Sequence, residues 1–257
     1  MHVSKLIIYP IKSLDGVEVR EAEITAMGTL RHDRRWALAD AEGNFVNSKR
    51  TEALHQVRAS FASDISTVAL SRPGGMDAVL PLAETGLIEA WFSDYLGYKV
   101  QLMEDAQQGF PDDLHSNGPT LISEATLKEV GQWFDLSLDA VRRRFRTNIE
   151  IQGCEPFWED QLFGPTSKEP KAFQIGGVEI WGMNPCQRCA VPSRDPITGE
   201  TTPSFQKSFI AKRQETLPPW ARSPQFNHFY RLAINTRIPP SQAGTRIYEG
   251  TDLQLTP

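Results

Sequence analysis

Only three cysteines occur in this chain of 257 residues, at positions 154, 186 and 189. An odd, small number in a sequence with no export-type leader argues against a disulfide framework and for reduced thiols in a cytoplasmic setting. The start, MHVSKLIIYPIKSL, is no secretory signal: its apolar stretch is only LIIYPI, and Pro10 and Lys12 interrupt it. No apolar run reaches the ~18 residues that a membrane-spanning helix needs, so no membrane partner is expected. Charge of one sign is not in excess either. A formal net charge of −5 speaks against nucleic-acid binding by bulk electrostatics. The phosphate-loop patterns GxGxxG and GxxxxGK[ST], the nucleophile elbow GxSxG and the zinc motif HExxH are all missing. Histidines stand alone at 2, 32, 55, 115 and 228, without metal-pair spacing.

The remaining pattern is that of a folded, β-rich chain. At 40% hydrophobic residues there is ample material for a core, in one large domain or two small ones. VSKLIIY (3–9), VEVREAEIT (17–25), WALAD (36–40), STVALS (66–71) and AVLPL (78–82) read as short strands. LIEAWFSDYLG (87–97) reads as a helix with Ile88, Trp91, Phe92, Tyr95 and Leu96 on one face, as core, and Gly97 as its cap. Residues 104–119 lack apolar periodicity and read as a loop or boundary. A helix capped by Ser123 follows, with Leu127, Val130 and Phe134 at helical spacing. RFRTNIEI (144–151) reads as a strand, and FQIGGVEIWG (173–182) as a hairpin about Gly176–Gly177. The tail again reads as strands and turns, with no internal repeat.

Arginines cluster at 142, 143, 144 and 146, and again at 31, 34 and 35. Such knots are commonly solvated faces, yet the planar guanidinium also suits a phosphate-bearing ligand. The densest chemistry lies in NPCQRCAVPSRDPITGE (184–200). Cys186-x-x-Cys189 alone admits half of a zinc ribbon, a thioredoxin-like dithiol, ordinary buried thiols, or one thiolate ligating the metal of a larger cofactor. A zinc-stabilised module would need ligands beyond Cys154 and the distant His228. A dithiol should open a helix, which Pro185, Pro192 and Pro196 discourage. Arg188 beside Cys189 would favour a thiolate and reach toward a ligand. Asp195 before Pro196 suits an Asx turn.

Several separated motifs in one order resemble the MOSC family, the molybdenum-cofactor sulfurase C-terminal domain proteins, in the branch of the amidoxime-reducing components and their bacterial relatives. IYPIKSLDGVEVREAEITAMG (8–28) and HDRRWALADAEGNFVNSK (32–49) resemble that branch's N-terminal module; LISEATL (121–127), RFRTNIEIQGCEPFWEDQLFG (144–164) and the cysteine loop resemble the MOSC domain. The resemblance implies a β-rich α+β fold: an N-terminal β-barrel module, 1–115, packed on a MOSC β-barrel domain, 116–257, with a few helices. It implies that Cys189 is the molybdenum ligand and catalytic centre. Lys12, Ser13, Arg34, Arg146, Asn148 and Arg188 would hold the molybdenum cofactor, molybdopterin; pyridoxal phosphate is not expected. Without the family, Lys12 and Ser13 would read as a turn and Arg34 as pairing with Asp33 or Asp40.

The implied activity is reduction of N-hydroxylated small molecules such as hydroxylaminopurines and amidoximes. Electrons would come from a separate flavin reductase or a ferredoxin- or cytochrome-type protein, because no cysteine follows Cys189 to hold an iron–sulfur cluster. The rival readings are a cofactor carrier or sulfur-transfer protein without turnover, and a zinc-stabilised binding module. Thr147 stands where the family often has proline, and HSNGPT (115–120) does not match cleanly. Cys154 reads as structural, and Cys186 receives no catalytic role.

Overall fold

The computed structural model describes all residues except Met76, Arg222 and Pro257. The N-terminal third contains β1 (His2–Ile8), β2 (Val17–Val19), β3 (Glu21–Glu23), β4 (Trp36–Ala39), β5 (Arg58–Phe61), β6 (Thr67–Ser71) and β7 (Ala78–Pro81). Helix α1 (Thr85–Leu96) and β8 (Gln101–Glu104) follow. Next come β9 (Leu121–Ser123), α2 (Glu124–Phe134), α3 (Leu138–Phe145) and β10 (Ile149–Gln152). The chain finishes through β11 (Lys171–Ile175), β12 (Val178–Gln187), α4 (Phe205–Thr216), β13 (Arg231–Arg237), β14 (Arg246–Tyr248) and β15 (Leu253–Leu255).

The fold is α+β and β-rich. Eight strands form one mixed sheet in the order β15-β11-β12-β13-β9-β10-β1-β2. Three smaller sheets pair β14 with β3, β4 with β8, and β5-β6-β7. Among the described residues no sheet closes into a ring; the large one ends on β15 and β2. β9 and β10 run parallel, Leu121 opposite Ile149, and α2 and α3 make the crossover between them. Strand β1 lies antiparallel to β10, which brings the N-terminus against the segment that carries Arg146 and Asn148.

Local chemistry explains the elements that frame this region. Ser123 caps α2 by accepting from the Thr126 amide, as the sequence led us to expect, and Ser137 caps α3 by accepting from the Ala140 amide. Helix α1 ends at Gly97 in the left-handed conformation, φ 76°. The hairpin β11–β12 turns at Gly176–Gly177, φ 57° and 83°. One apolar cluster joins the strands of both halves. A second, with Phe145, Phe205, Phe209 and Tyr230, packs α3 and α4 behind the sheet.

Two expectations need correction, and one helix was not expected. Residues 144–151 are not one strand: Arg144 and Phe145 end α3, Arg146 is left-handed at φ 53°, and the strand begins only at Ile149. The Ser137 cap and the apolar pair Val141 and Phe145 favour the helix, and its left-handed terminus then reverses the chain. VEVREAEIT splits at Arg20 into β2 and β3, which join different sheets. The sequence reading also passed over α4, whose buried stripe Phe205, Phe209 and Arg213 recurs at i, i+4 and i+8.

Candidate functional site

A cavity of about 930 Å³ opens where α3 turns into β10 and the end of β12 passes the loop of residues 111–118. Its lining includes every residue singled out above: Lys12, Ser13, Arg34, Arg146, Asn148, Arg188 and Cys189. They come from four separate stretches of chain. Sheet order brings them together, since β1 pairs with β10 and β12 with β13.

The basic knot at 142–146 is sorted by its surroundings. Arg142 forks onto the buried Glu150 carboxylate, Nε to Oε1 at 2.9 Å and Nη2 to Oε2 at 2.8 Å. Arg143 pairs with Asp15 at 3.0 Å. Arg144, 3% exposed, donates to the Pro192 carbonyl at 2.9 Å and the Arg194 carbonyl at 2.6 Å, stitching the cysteine loop onto α3. Arg146 differs. Among the described residues its guanidinium makes no ion pair or hydrogen bond, and it lies over the Tyr9 ring, 4.3 Å from the centroid. Burial pushes it below the ordinary arginine pKa, and Arg34 adds repulsion. A half-buried cation without a counter-ion is costly, and this one faces a cavity.

Arg34 is held on all sides. It pairs with Asp33, donates to Asn148 Oδ1 at 3.1 Å and to the Arg146 carbonyl at 3.3 Å. The pairing with Asp33 and the place in the cavity therefore coexist. Asn148 is the hinge pin: its Oδ1 also accepts from the Thr120 amide and hydroxyl at 3.1 Å each, and its Nδ2 donates to the Ile7 carbonyl at 3.0 Å. Its carboxamide oxygen is thus fully engaged in aiming Arg34 and joining β1 to β9 and β10. Lys12 Nζ donates to the Phe110 carbonyl at 2.7 Å and to Asp112 at 2.8 Å. Burial lowers the Lys12 pKa against the pull of Asp112; Asp112 is held well below the usual carboxylate range because that ammonium outweighs its own desolvation. Ser13 accepts from the Ser48 amide at 3.2 Å, tying the Lys-Ser turn to the next loop.

Ser13, Arg34 and Arg146 have φ of 76°, 49° and 53°. Non-glycine residues rarely adopt this left-handed region, and such strain gathers at functional sites. No motif announces it.

On the cysteine side β12 runs on to Gln187, and the Arg188 amide donates to the Tyr230 carbonyl at 3.0 Å. Cys186 and Cys189 are both half-buried, free, and part of the cavity wall. Arg188 reaches not Cys189 but Cys186, with Nη1 at 3.1 Å from its sulfur, and donates also to the Phe145 carbonyl. Asp195 accepts from the amides of Ile197 and Thr198 at 2.9 Å each, the turn its position implied. Cys154 lies elsewhere, packed on the main core, and burial pushes its thiol up to about 11.

Among the described residues no group of three or more His, Cys, Asp or Glu gathers as a metal cage. The zinc-module reading has no ligand cluster to rest on. The residues fit a different group: an anionic terminus at Lys12, Arg34 and Arg146, and a soft-sulfur donor on the opposite stretch.

Known proteins resemble this chain over most of its length. The family MOSC N-terminal beta barrel domain matches residues 1–138, and the family MOSC domain matches 120–233. Mitochondrial amidoxime-reducing component 1 of Homo sapiens is 28% identical, over 90% of this chain and 78% of that protein. Mitochondrial amidoxime reducing component 2 of Homo sapiens is 28% identical, over 77% and 68%. Molybdenum cofactor sulfurase of Caenorhabditis elegans is 24% identical over 79% of this chain but only 30% of its own length.

Proposed function

This chain belongs to the MOSC family, and from that premise we propose that it is a molybdenum-cofactor-dependent oxidoreductase that reduces N-hydroxylated small molecules. The observation that carries the reading is Arg146, a guanidinium without an anion, in the cavity that also presents Lys12, Arg34 and Cys189. In this reading Lys12, Arg34 and Arg146 hold the cofactor's phosphate, with the Ser13 turn beside them. Asn148 positions Arg34 through its 3.1 Å contact rather than touching the ligand itself. The Cys189 thiolate holds the metal on the rigid loop that Arg144 and Pro192 fix. Arg188 closes the wall between the loop and α3. When bound, the cofactor supplies a two-electron centre ligated by soft sulfur. The overall change is N–OH plus two electrons and two protons to N–H and water, so the cavity must admit both a small substrate and protons. Relatives named amidoxime-reducing components support this reaction class.

The electrons are assigned to a separate donor, a flavin reductase or a ferredoxin- or cytochrome-type protein. Among the described residues no helix is long and apolar enough to cross a membrane. The test is elemental analysis and pterin fluorescence on protein from a molybdenum-sufficient host, followed by benzamidoxime reduction with an artificial donor. Molybdenum and pterin in near-equal amounts with turnover support the reading. Bound cofactor without turnover would instead fit a carrier or sulfur-transfer role, in keeping with the relative named molybdenum cofactor sulfurase.

A further inference from the structure

One cation of the cavity has no task in that scheme. Arg231, the first residue of β13, lines the wall near Cys186 and Gln187. Its Nη1 donates to the Pro185 carbonyl at 2.7 Å and its Nη2 to Asn227 Oδ1 at 2.8 Å. Both acceptors are neutral. Among the described residues no carboxylate pairs with Arg231, and its buried Nε has no partner at all. Burial lowers its pKa.

Several half-buried or buried guanidinium groups are answered by an acid, Arg142 by Glu150, Arg213 by Asp160 and Arg58 by Asp15, whereas Arg146, Arg188 and Arg231 on the cavity wall have no acid partner among the described residues. The acids that line the cavity are all engaged with other groups. Asp33 holds Arg34, Asp112 holds Lys12 and Lys49, and Asp113 accepts from the amides of His115 and Ser116. Arg231 therefore lines the cavity with its fork oriented by two neutral groups and one further N–H left on each of Nη1 and Nη2. This suits a planar carboxylate, which accepts two parallel N–H bonds.

We propose that Arg231, oriented by Asn227, is an anchor for an organic carboxylate, and that the substrates this protein prefers carry such a group beside the N-hydroxylated centre. The preference among substrates rests on the N–O reductase reading; the anion site itself does not. Arg231 would thus be the specificity determinant on the cysteine side of the cavity, distinct from the Lys12, Arg34 and Arg146 end.

Calorimetric binding of benzoate and of neutral benzamide to the purified protein tests the site without turnover. Wild type should bind benzoate more tightly than benzamide. Arg231→Gln should weaken benzoate by about tenfold or more, the scale of one charge-assisted hydrogen bond, and leave benzamide unchanged. Asn227→Asp, which supplies an internal carboxylate without altering Arg231, should remove the same preference, so the test survives a poorly folding Arg231 variant. Arg146→Ala should change benzoate binding far less. With turnover, 4-carboxybenzamidoxime should show the higher kcat/KM, and Arg231→Gln should abolish that advantage while sparing benzamidoxime. Equal benzoate binding by wild type and both variants would overturn the proposal, as would loss of benzoate binding in Arg146→Ala alone. Benzoate selectivity that tracks Arg231 in a protein that reduces neither amidoxime would sustain the anion site and sink the reductase reading.

Discussion

Arg146 lies over the ring of Tyr9, its guanidinium carbon 4.3 Å from the ring centroid, and Arg34 lies over the same ring at 4.8 Å. Tyr9 is 4% exposed and pinned at both ends: its amide donates to Asp33 at 2.8 Å and its hydroxyl to the Thr147 carbonyl at 3.2 Å. The ring face attracts each cation and lets two like charges stand near one another. Tyr9→Phe keeps the ring and should keep most cofactor. Tyr9→Leu removes two cation–π contacts of about 1 kcal/mol each and should lower phosphate affinity by roughly tenfold or more. Phosphate calorimetry and molybdenum content check this, and a Phe variant as poor as Leu would overturn it.

The cysteines should separate cleanly by substitution. Cys189→Ser should remove molybdenum and activity, because a hydroxyl is a harder, poorer ligand than a thiolate. Cys154→Ser, in a thiol that burial pushes up to about 11, should keep both. Cys186→Ser should also keep most metal, although Arg188 lies 3.1 Å from that sulfur. Metal analysis that finds Cys186→Ser empty and Cys189→Ser full would reverse the ligand assignment.

Much of this arrangement was legible in the order of residues, and the illegible part has definite causes. Alternation gave most of β1, β4, β6 and β7 but missed β5, and Ser123 gave the start of α2. The residues lining the cavity were found through family motifs, since nothing local joins Lys12 to Arg146 except the pairing of β1 with β10. What failed was the reading of 144–151, where an alternating look concealed a capped helix and a left-handed turn. The place of Arg144 within its knot was not legible either: it donates to the backbone carbonyls of Pro192 and Arg194 and to the Thr202 hydroxyl, far along the chain. Arg231 stood outside every motif, because an unpaired charge is defined by what surrounds it in space.

A pH dependence of stability should come from a pair outside the cavity. Glu159, 1% exposed, accepts from Thr126 at 3.0 Å through Oε2, while its Oε1 is buried without a partner. Burial, and then the neighbouring Asp160, push its pKa up to about 7. Asp160 has Arg213 as its counter-ion, so Glu159 is the member that takes up the proton. A carboxyl with a raised folded-state pKa stabilises most below its unfolded value and loses that contribution as pH rises through the folded one. Glu159 should therefore take away on the order of 3 kcal/mol of stability between about pH 4.5 and 7, partly offset by His32, His55 and His228, whose pKa values burial lowers. Glu159→Gln should flatten the loss. Denaturant melts at pH 5 and pH 8 measure it; a variant with the wild-type slope would refute the assignment.

Turnover should require a second protein. The chain has three cysteines, two of them within one CxxC, and no glycine fingerprint for a nicotinamide cofactor. Purified protein should not reduce benzamidoxime with NADPH alone, and should do so once a flavin reductase or a ferredoxin- or cytochrome-type donor is added. Such docking is usually weak and electrostatic, so the rate should fall with added salt. Turnover with NADPH and no second protein would sink this idea.

Lys12 already has partners within the chain. Its ammonium is shared between the Phe110 carbonyl and Asp112, and Lys49 approaches the same carboxylate oxygen at 3.1 Å. A carboxylate so placed competes with any phosphate for Lys12. Its side chain is 63% exposed, so the competition is worth only what a solvated pair is worth, up to about 1 kcal/mol. Asp112→Asn should accordingly tighten inorganic phosphate binding by about threefold, and Lys12→Ala should erase that gain. The double variant then decides whether the two residues act on one anion. If Asp112→Asn instead weakens phosphate binding, Asp112 is the group that holds Lys12 in place rather than its competitor. Phosphate titrations of the four proteins at low and high salt distinguish the two, because a competitor's effect shrinks as salt screens the pair.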